Sequence, residues 1–146
     1  VGLDKRAMSN MVVTAYHGGA SVDNPMVKYE SNRSNKDTFR NKRAQYYWLL
    51  ADRFRKTYDA VVGGKYCDPD ELISLDSSIP ELKQIKSELS RVLRKRTNNS
   101  KIQLESKPDM AKRGVKSPNL ADAIVMCFAN PLTVIDAPSL EFDELW

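Results

Sequence analysis

The sequence predicts an α/β domain in which a mixed sheet is flanked by helices. Segments with strand and helix periodicity follow one another in the order strand, helix, helix, strand, helix, which is an alternation typical of this class. The 146 residues, 41% of them hydrophobic, suffice for one core and leave little for a second. We expect part of the sheet to come from preceding residues, because Val1-Gly2-Leu3 is typical of the interior of an element.

The first predicted strand is Met11–Tyr16 (MVVTAY), a β-branched and apolar run that a turn at His17-Gly18-Gly19 closes. Ala20–Asp37 follows, rich in Ser, Asn and Asp and without periodicity, and this composition predicts a long loop. His17 is the single histidine, and its place beside two glycines favours a turn residue over a catalytic base.

The first predicted helix is Thr38–Tyr58. Small and apolar side chains recur there at the spacing of one helix face, at Ala44, Tyr47, Ala51, Phe54 and Tyr58. The other face is basic and can meet solvent or a polyanion. Gly63-Gly64 breaks the chain after this helix, and Leu72–Leu75 is short enough for a strand or an extended connection.

A second helix is predicted over about Ile79–Arg94. Ser78 and Glu81 have the S-x-x-E spacing of a capping box, which satisfies backbone donors at a helix start. The apolar stripe of this helix continues through Leu82, Ile85, Leu89 and Val92.

A strand and a last helix complete the predicted domain. Lys101–Glu105 (KIQLE) alternates polar and apolar residues, which predicts a strand with Ile102 and Leu104 turned inward. Ser117-Pro118 combines an N-cap with proline at the first helical position and opens a nearly uncharged helix through Ala129. We therefore expect a domain over residues 1–130 and an acidic tail over residues 131–146.

Charge is distributed unevenly along the chain. Residues 79–116 contain eleven Lys or Arg against four acids, a net charge of +7, whereas residues 130–146 contain four acids and no base. A basic segment this dense suits contacts with phosphates, whose affinity comes from counterion release, and it equally suits a solvated helix face. Charge alone leaves both interpretations open.

Asp122 is the one charged side chain between Ser117 and Ala129, and apolar residues lie three, four and seven positions after it. Burying an unpaired carboxylate is unfavourable by several kcal/mol, so Asp122 requires compensation. Three explanations are open: an ion pair with a Lys or Arg of another element, partial solvation, or a bound divalent metal ion.

Other classes of chemistry have little support in the sequence. Cys67 and Cys127 lack the spacing of a zinc site, and a single histidine gives a hydrolase triad no basis. No P-loop motif occurs, so we do not expect ATP to bind this chain. No apolar run reaches the roughly 18 to 20 residues of a membrane span, and we expect no membrane association.

Three segments in a fixed order carry a resemblance to a known family: Asn41–Trp48 (NKRAQYYW), Leu104–Gly114 (LESKPDMAKRG) and Lys116–Ala123 (KSPNLADA). Together they resemble the carboxy-terminal nuclease domain of large terminase subunits of tailed bacteriophages. The resemblance implies a ribonuclease-H-like fold, here incomplete and without its amino-terminal strands. It also implies an endonuclease that hydrolyses phosphodiester bonds of concatemeric double-stranded viral DNA during genome packaging.

The resemblance further implies a metal site. The family uses acidic residues from separate strands and a late helix to hold two Mg²⁺ or Mn²⁺ ions about 4 Å apart, which activate water and stabilise the leaving oxygen. Asp122 corresponds to the helix-borne carboxylate and is the predicted catalytic residue and metal ligand. Many relatives have aspartate where this chain has Asn119, so Asn119 would contribute an amide oxygen or a bridging water. The other two main ligands would precede Val1, with Asp4 and Asp37 as alternatives, and this chain alone would be inactive.

DNA contacts and partners follow from the same resemblance. Lys107 and Lys116 bracket the turn that enters the Asp122 helix, where lysines can meet the scissile or a flanking phosphate, and Lys112 and Arg113 are further candidates. The implied partners are double-stranded DNA and, in the whole protein, an ATPase motor domain that holds the ATP, the portal and the small terminase subunit, all in the host cytoplasm. Two rivals stay open: a non-catalytic basic module that binds DNA and docks on the portal, and another ribonuclease-H-like nuclease of the resolvase or integrase type.

Overall fold

The computed structural model describes residues 15–30, 32–95 and 100–129. The described part of the chain divides into two compact units: the first comprises residues 15–30, 32–45 and 100–103, and the second comprises residues 46–95 and 104–129. Within the described ranges no helix is long and apolar enough to cross a membrane. The predicted boundary after residue 130, the acidic tail and Asp4 all lie outside the described residues.

The first unit contains a short hairpin followed directly by a helical turn. β1 (Lys28–Glu30) pairs antiparallel with β2 (Arg33–Ser34), and α1 (Asn35–Thr38) continues from the second strand. Phe39 comes next and is buried, and its ring packs edge-on against Tyr29 with the ring centroids 5.0 Å apart. This aromatic pair forms part of the core of the first unit.

Ile102 joins the same core by a parallel bridge to Phe39. Its backbone N–H donates to the Thr38 carbonyl oxygen over 2.7 Å, and its carbonyl oxygen accepts the Arg40 N–H over 2.9 Å. The predicted inward orientation of Ile102 is confirmed. The strand predicted from the KIQLE alternation is shorter than expected, since it contains Gln103–Leu104 only.

The longest helix, α2 (Lys42–Val61), belongs to the second unit from Tyr46 onward. Asn41 caps its start, because the Asn41 Oδ1 accepts the Ala44 N–H over 2.9 Å. The helix therefore begins and ends three to four residues later than the predicted range. It stops just before the predicted break, where Gly64 has a φ of +64° that glycine adopts without strain.

Shorter elements complete the second unit: a 3₁₀ turn (Pro69–Glu71), α3 (Leu82–Arg91), β3 (Arg94–Lys95), β4 (Gln103–Leu104), α4 (Lys107–Lys112) and α5 (Asn119–Ala129). Of these, Gln103 alone falls in the first unit. Helices α3 and α5 pack against each other. The buried apolar side chains among the described residues of the second unit are Tyr46, Tyr47, Leu50, Ile73, Ile85, Met110, Pro118, Ala121, Val125 and Ala129.

The capping boxes differ from the prediction. The box predicted at Ser78 does not form, because the Ser78 N–H donates to the Asp76 Oδ1 over 2.8 Å, and α3 begins after Glu81, whose side chain makes no cap hydrogen bond. A complete capping box forms at Ser106 and Asp109 instead and starts α4, a helix that is absent from the prediction. The S-x-x-D spacing there was the available signal.

The predicted loop Ala20–Asp37 is wrong over its second half, which contains β1, β2 and most of α1. These elements are two to four residues long, too short to display a periodicity. Ala15 and Tyr16, the described end of the first predicted strand, are not in a strand, and the rest of that prediction lies outside the described residues. Leu72–Leu75 is a connection rather than a strand.

Candidate active site

Helix α5 places one carboxylate beside an apolar face. Its first turn forms where the carbonyl oxygen of buried Pro118 accepts the Asp122 N–H over 2.8 Å. The Asp122 side chain remains 22% exposed. The helix buries Ala121, Val125 and Ala129. The helix predicted from Ser117-Pro118 is thus confirmed to within two residues.

Both carboxylate oxygens of Asp122 have a donor from another element of the second unit. The Tyr47 hydroxyl donates to Oδ1 over 2.6 Å, and the Lys107 Nζ lies 3.1 Å from Oδ2. Such charge-assisted contacts compensate a carboxylate for its partial loss of solvent. The ion pair and the partial solvation proposed from the sequence are both present, and the bound metal stays a prediction.

Tyr47 and Lys107 are held by the elements that carry them. Tyr47 lies on α2 and is only 8% exposed, so its ring has little freedom to move away from Asp122. Lys107 is the first residue of α4, which the capping box fixes: the Ser106 Oγ accepts the Asp109 N–H, and the Asp109 Oδ2 accepts the Ser106 N–H, both over 3.2 Å. The Lys107 side chain is 55% exposed, which leaves its ammonium free to reach another anion.

Glu88 of α3 holds the beginning of α5. Its Oε2 accepts the backbone N–H groups of Leu120 and Ala121 over 2.8 and 3.0 Å, and its Oε1 accepts the Gln84 side-chain amide over 2.9 Å. The first N–H groups of a helix have no partner within the helix, and the positive end of the helix dipole favours a carboxylate. Glu88 therefore fixes the backbone immediately before Asp122.

The other predicted site residues have different surroundings. Asn119 is exposed, and its Oδ1 accepts the Ser117 hydroxyl over 2.9 Å. Lys112 and Lys116 are exposed, and neither forms an ion pair within the described part of the chain. Of the predicted cations, the structure brings Lys107 to Asp122. The proposed contacts of all these residues with DNA or metal stay predictions.

Arg113 has a structural partner, Glu105, that the sequence does not predict. Its Nε and Nη2 donate to the two carboxylate oxygens of Glu105 over 2.9 and 2.6 Å, and the Leu93 N–H donates to the same carboxylate over 2.8 Å. The Glu105 side chain is only 8% exposed, so its charge requires this two-pronged partner. The predicted DNA contact of Arg113 is untested, and its guanidinium is engaged by Glu105.

The described residues do not complete a metal site by themselves. No three His, Cys, Asp or Glu side chains among them lie together as a metal site requires. Asp37, the alternative ligand, belongs to the first unit, where its Oδ2 accepts the Ser34 hydroxyl over 2.6 Å. These residues therefore do not fit a two-ion centre alone, although Asp122 has the oxygen chemistry of one of its ligands.

The profile of the terminase RNase H-like domain matches residues 13–130. The chain belongs to this family. The match contains all three segments that carried the resemblance in the sequence, including the helix of Asp122. Comparison with curated protein sequences gives no match.

Solved terminase nuclease domains have the same fold. The nuclease domain of the large terminase subunit of bacterial virus Sf6 is 43% identical with a TM-score of 0.75, and the similarity covers 80% of this chain and 52% of that domain. A variant of that domain with manganese and β-thujaplicinol is 42% identical with a TM-score of 0.76, and the similarity covers 81% of this chain and 53% of the variant. A variant with calcium is 42% identical with a TM-score of 0.74, and the similarity covers 80% of this chain and 52% of the variant. The chain therefore has the predicted ribonuclease-H-like fold and spans about half the length of these domains.

Three side chains of this terminase domain have roles in the structure that the sequence does not predict. The helical spacing predicts Tyr47 on the apolar face of its helix, and nothing in the sequence connects it with Asp122, 75 positions away. In the sequence, Glu88 is one of four acids in the basic segment of residues 79–116, and Glu105 ends a predicted strand. Their roles depend on tertiary contacts with backbone N–H groups and with Arg113.

Proposed function

We propose that this chain is part of a divalent-metal-dependent endonuclease that cuts concatemeric double-stranded viral DNA during genome packaging. The observation that carries the proposal is the partly exposed Asp122 carboxylate, held by Tyr47 and Lys107, in a domain of the terminase family. Because the chain spans about half the length of the solved relatives, the activity is proposed for the whole protein.

Asp122 is proposed as one metal ligand. Magnesium and manganese prefer carboxylate oxygens, and related nuclease domains were solved with manganese and with calcium. A carboxylate has about four lone-pair sites, so Asp122 can keep the Tyr47 hydrogen bond and still bind an ion. The further ligands would come from outside the described residues. Asn119, one helical turn before Asp122, is a candidate for a contact through water.

Lys107 supplies the candidate site with a mobile positive charge. In the structure it neutralises Asp122, and its partial exposure allows the ammonium to move to a phosphate when DNA arrives. Lys112 and Lys116 are proposed to contact flanking phosphates. Contacts with the phosphate backbone carry no sequence information, which suits an enzyme that must cut many sequences.

The test is a plasmid-nicking assay of the full-length protein with Mg²⁺ or Mn²⁺. Asp122→Asn keeps the size of the side chain and removes its charge, and we expect it to abolish cutting while DNA binding in EDTA persists. Asp59→Asn is the matched control, because Asp59 on α2 also pairs with a lysine, Lys65, over 3.2 Å. Normal cutting by Asp122→Asn would refute the assignment of Asp122.

A second candidate function is a non-catalytic DNA-binding module that docks on the portal. The net charge of +7 over residues 79–116, which suits phosphate contacts with or without cleavage, favours it. It predicts salt-sensitive DNA binding by the full-length protein and no cleavage with any divalent ion. In either case we propose that the whole protein works in the host cytoplasm with an ATPase motor domain, the portal and the small terminase subunit.

A further inference from the structure

A groove lies between α3 and the segment that leads into α5. Its volume is about 590 Å³, within the size range of ligand-binding clefts. The residues that line it are Gln84, Ser87, Glu88, Arg91, Met110 and residues 114–119. Met110 and Pro118 are buried, so the groove combines buried apolar residues with a polar and charged lining.

The groove carries a net positive charge that the described residues do not neutralise. Arg91 and Lys116 are exposed, and neither side chain forms an ion pair in the part of the chain that the structure describes. Glu88 is the acid of the lining, and both of its oxygens are engaged, by the Leu120 and Ala121 N–H groups and by the Gln84 amide. The charge of Glu88 is therefore directed at the start of α5, and two cations remain available.

The groove also reaches the start of the helix that carries Asp122. Asn119 lines it, and Asp122 lies three residues later on α5. Residues at this spacing are neighbours on one helix face, with Cβ atoms about 5 to 6 Å apart. A phosphate bound beside Asn119 would therefore lie about one helical turn from Asp122.

We propose that this groove, which we call the Arg91–Lys116 groove, binds a backbone phosphate of the DNA. This phosphate would neighbour the phosphodiester that lies at Asp122. Arginine offers a planar fork of donors that fits a phosphate, and lysine adds a flexible point charge. The inference rests on the proposed function for the identity of its ligand as DNA. It adds Arg91 as a phosphate-binding residue and assigns Lys116 to the groove.

The test measures binding of the full-length protein to a labelled DNA duplex in EDTA, so that cleavage plays no part. The groove variant combines Arg91→Gln with Lys116→Gln. The matched control combines Lys83→Gln with Lys86→Gln, which removes the same charge from exposed positions of α3 that do not line the groove. Binding is measured between about 50 and 200 mM salt, where phosphate contacts dominate the salt dependence.

The groove variant should weaken DNA binding on the order of tenfold or more at about 0.1 M salt. The salt slope, which is the steepness with which the logarithm of the binding constant falls with the logarithm of salt concentration, should decrease by about two. The control should lower the slope by less than half as much. The conservative variant Arg91→Lys with Lys116→Arg should keep the wild-type slope, which separates lost charge from lost folding. Equal losses in the groove and control variants would overturn the proposal.

The cleavage assay distinguishes this inference from the proposed function. If the wild-type protein cuts DNA and the two charge variants bind alike, the groove is refuted and the nuclease stands. If the wild-type protein never cuts DNA and the groove variant alone loses affinity, the nuclease is refuted and the groove stands as a DNA-binding site.

Discussion

The hydroxyl of Tyr47 donates a 2.6 Å hydrogen bond to the Oδ1 of Asp122. This bond joins the long helix α2 to the first turn of α5, and it orients the carboxylate that we propose as a metal ligand. Lys107 approaches the other oxygen from α4. Three helices of the second unit therefore determine the position of one side chain.

Removal of the Tyr47 hydroxyl tests this arrangement. Tyr47→Phe keeps the buried ring and deletes a hydrogen bond to a charged group, so we expect the free energy of unfolding to fall by about 1.5 to 3 kcal/mol. The concentration of Mn²⁺ that gives half-maximal cutting should rise, because the carboxylate loses its orientation. Tyr58→Phe is the control, since Tyr58 lies on the same helix and is 63% exposed. Equal stability of the two variants would contradict a role for this bond.

Glu88 is expected to stabilise the start of α5. Glu88→Gln keeps an oxygen acceptor and loses the charge that interacts with the helix end, so the free energy of unfolding should fall by about 1 kcal/mol. Urea unfolding measures the change. Glu30→Gln is the control, because Glu30 is exposed on β1 and does not lie at the start of a helix. A loss as large in the control would exclude a specific contact between Glu88 and α5.

The sequence predicted those features of the fold that depend on neighbouring residues. Ser117-Pro118 and the nearly uncharged run after it are local signals, and α5 was placed within two residues. The hairpin of β1 and β2 was missed because strands of two or three residues have no periodicity. The box at Ser78 failed because Asp76 takes up the Ser78 N–H in a competing turn.

The candidate site was predictable only in part for a related reason. Asp122 was predictable because it is the single charge on an apolar helix. Lys107 was predictable because it precedes the turn that enters this helix. Glu88 holds the start of α5 and lies 32 positions from Leu120 in the sequence. Tyr47 holds the carboxylate and lies 75 positions from Asp122. One sequence contains no information on contacts between segments so distant, which the fold alone establishes.

Arg113 allows a structural role to be separated from a DNA contact. Arg113→Gln removes both guanidinium hydrogen bonds from the nearly buried Glu105, and we expect the free energy of unfolding to fall by about 2 to 3 kcal/mol. Lys112→Gln, an exposed neighbouring cation, should change stability by less than about 0.5 kcal/mol. A stable Arg113→Gln protein with a lower salt slope for DNA binding would instead support the DNA contact.

Asp109 gives the start of α4 a dependence on pH. The Ser106 hydroxyl, followed by the Ser106 backbone N–H, lowers the pKa of the Asp109 carboxyl below its ordinary value. A carboxyl whose pKa is lower in the folded protein contributes stability above its unfolded pKa and loses it as the pH falls through the folded pKa.

We therefore expect the wild-type protein to be more stable than Asp109→Asn at neutral pH, and the difference to shrink as the pH falls below about 4. Urea unfolding of both proteins from about pH 6 to pH 3 measures this difference. Ser106→Ala removes the main cause of the lowered pKa and should flatten the same part of the pH profile. A difference that stays constant over the whole range would show that Asp109 does not act through its charge. Because Lys107 follows Ser106 directly, weakening this cap should also loosen the lysine that pairs with Asp122.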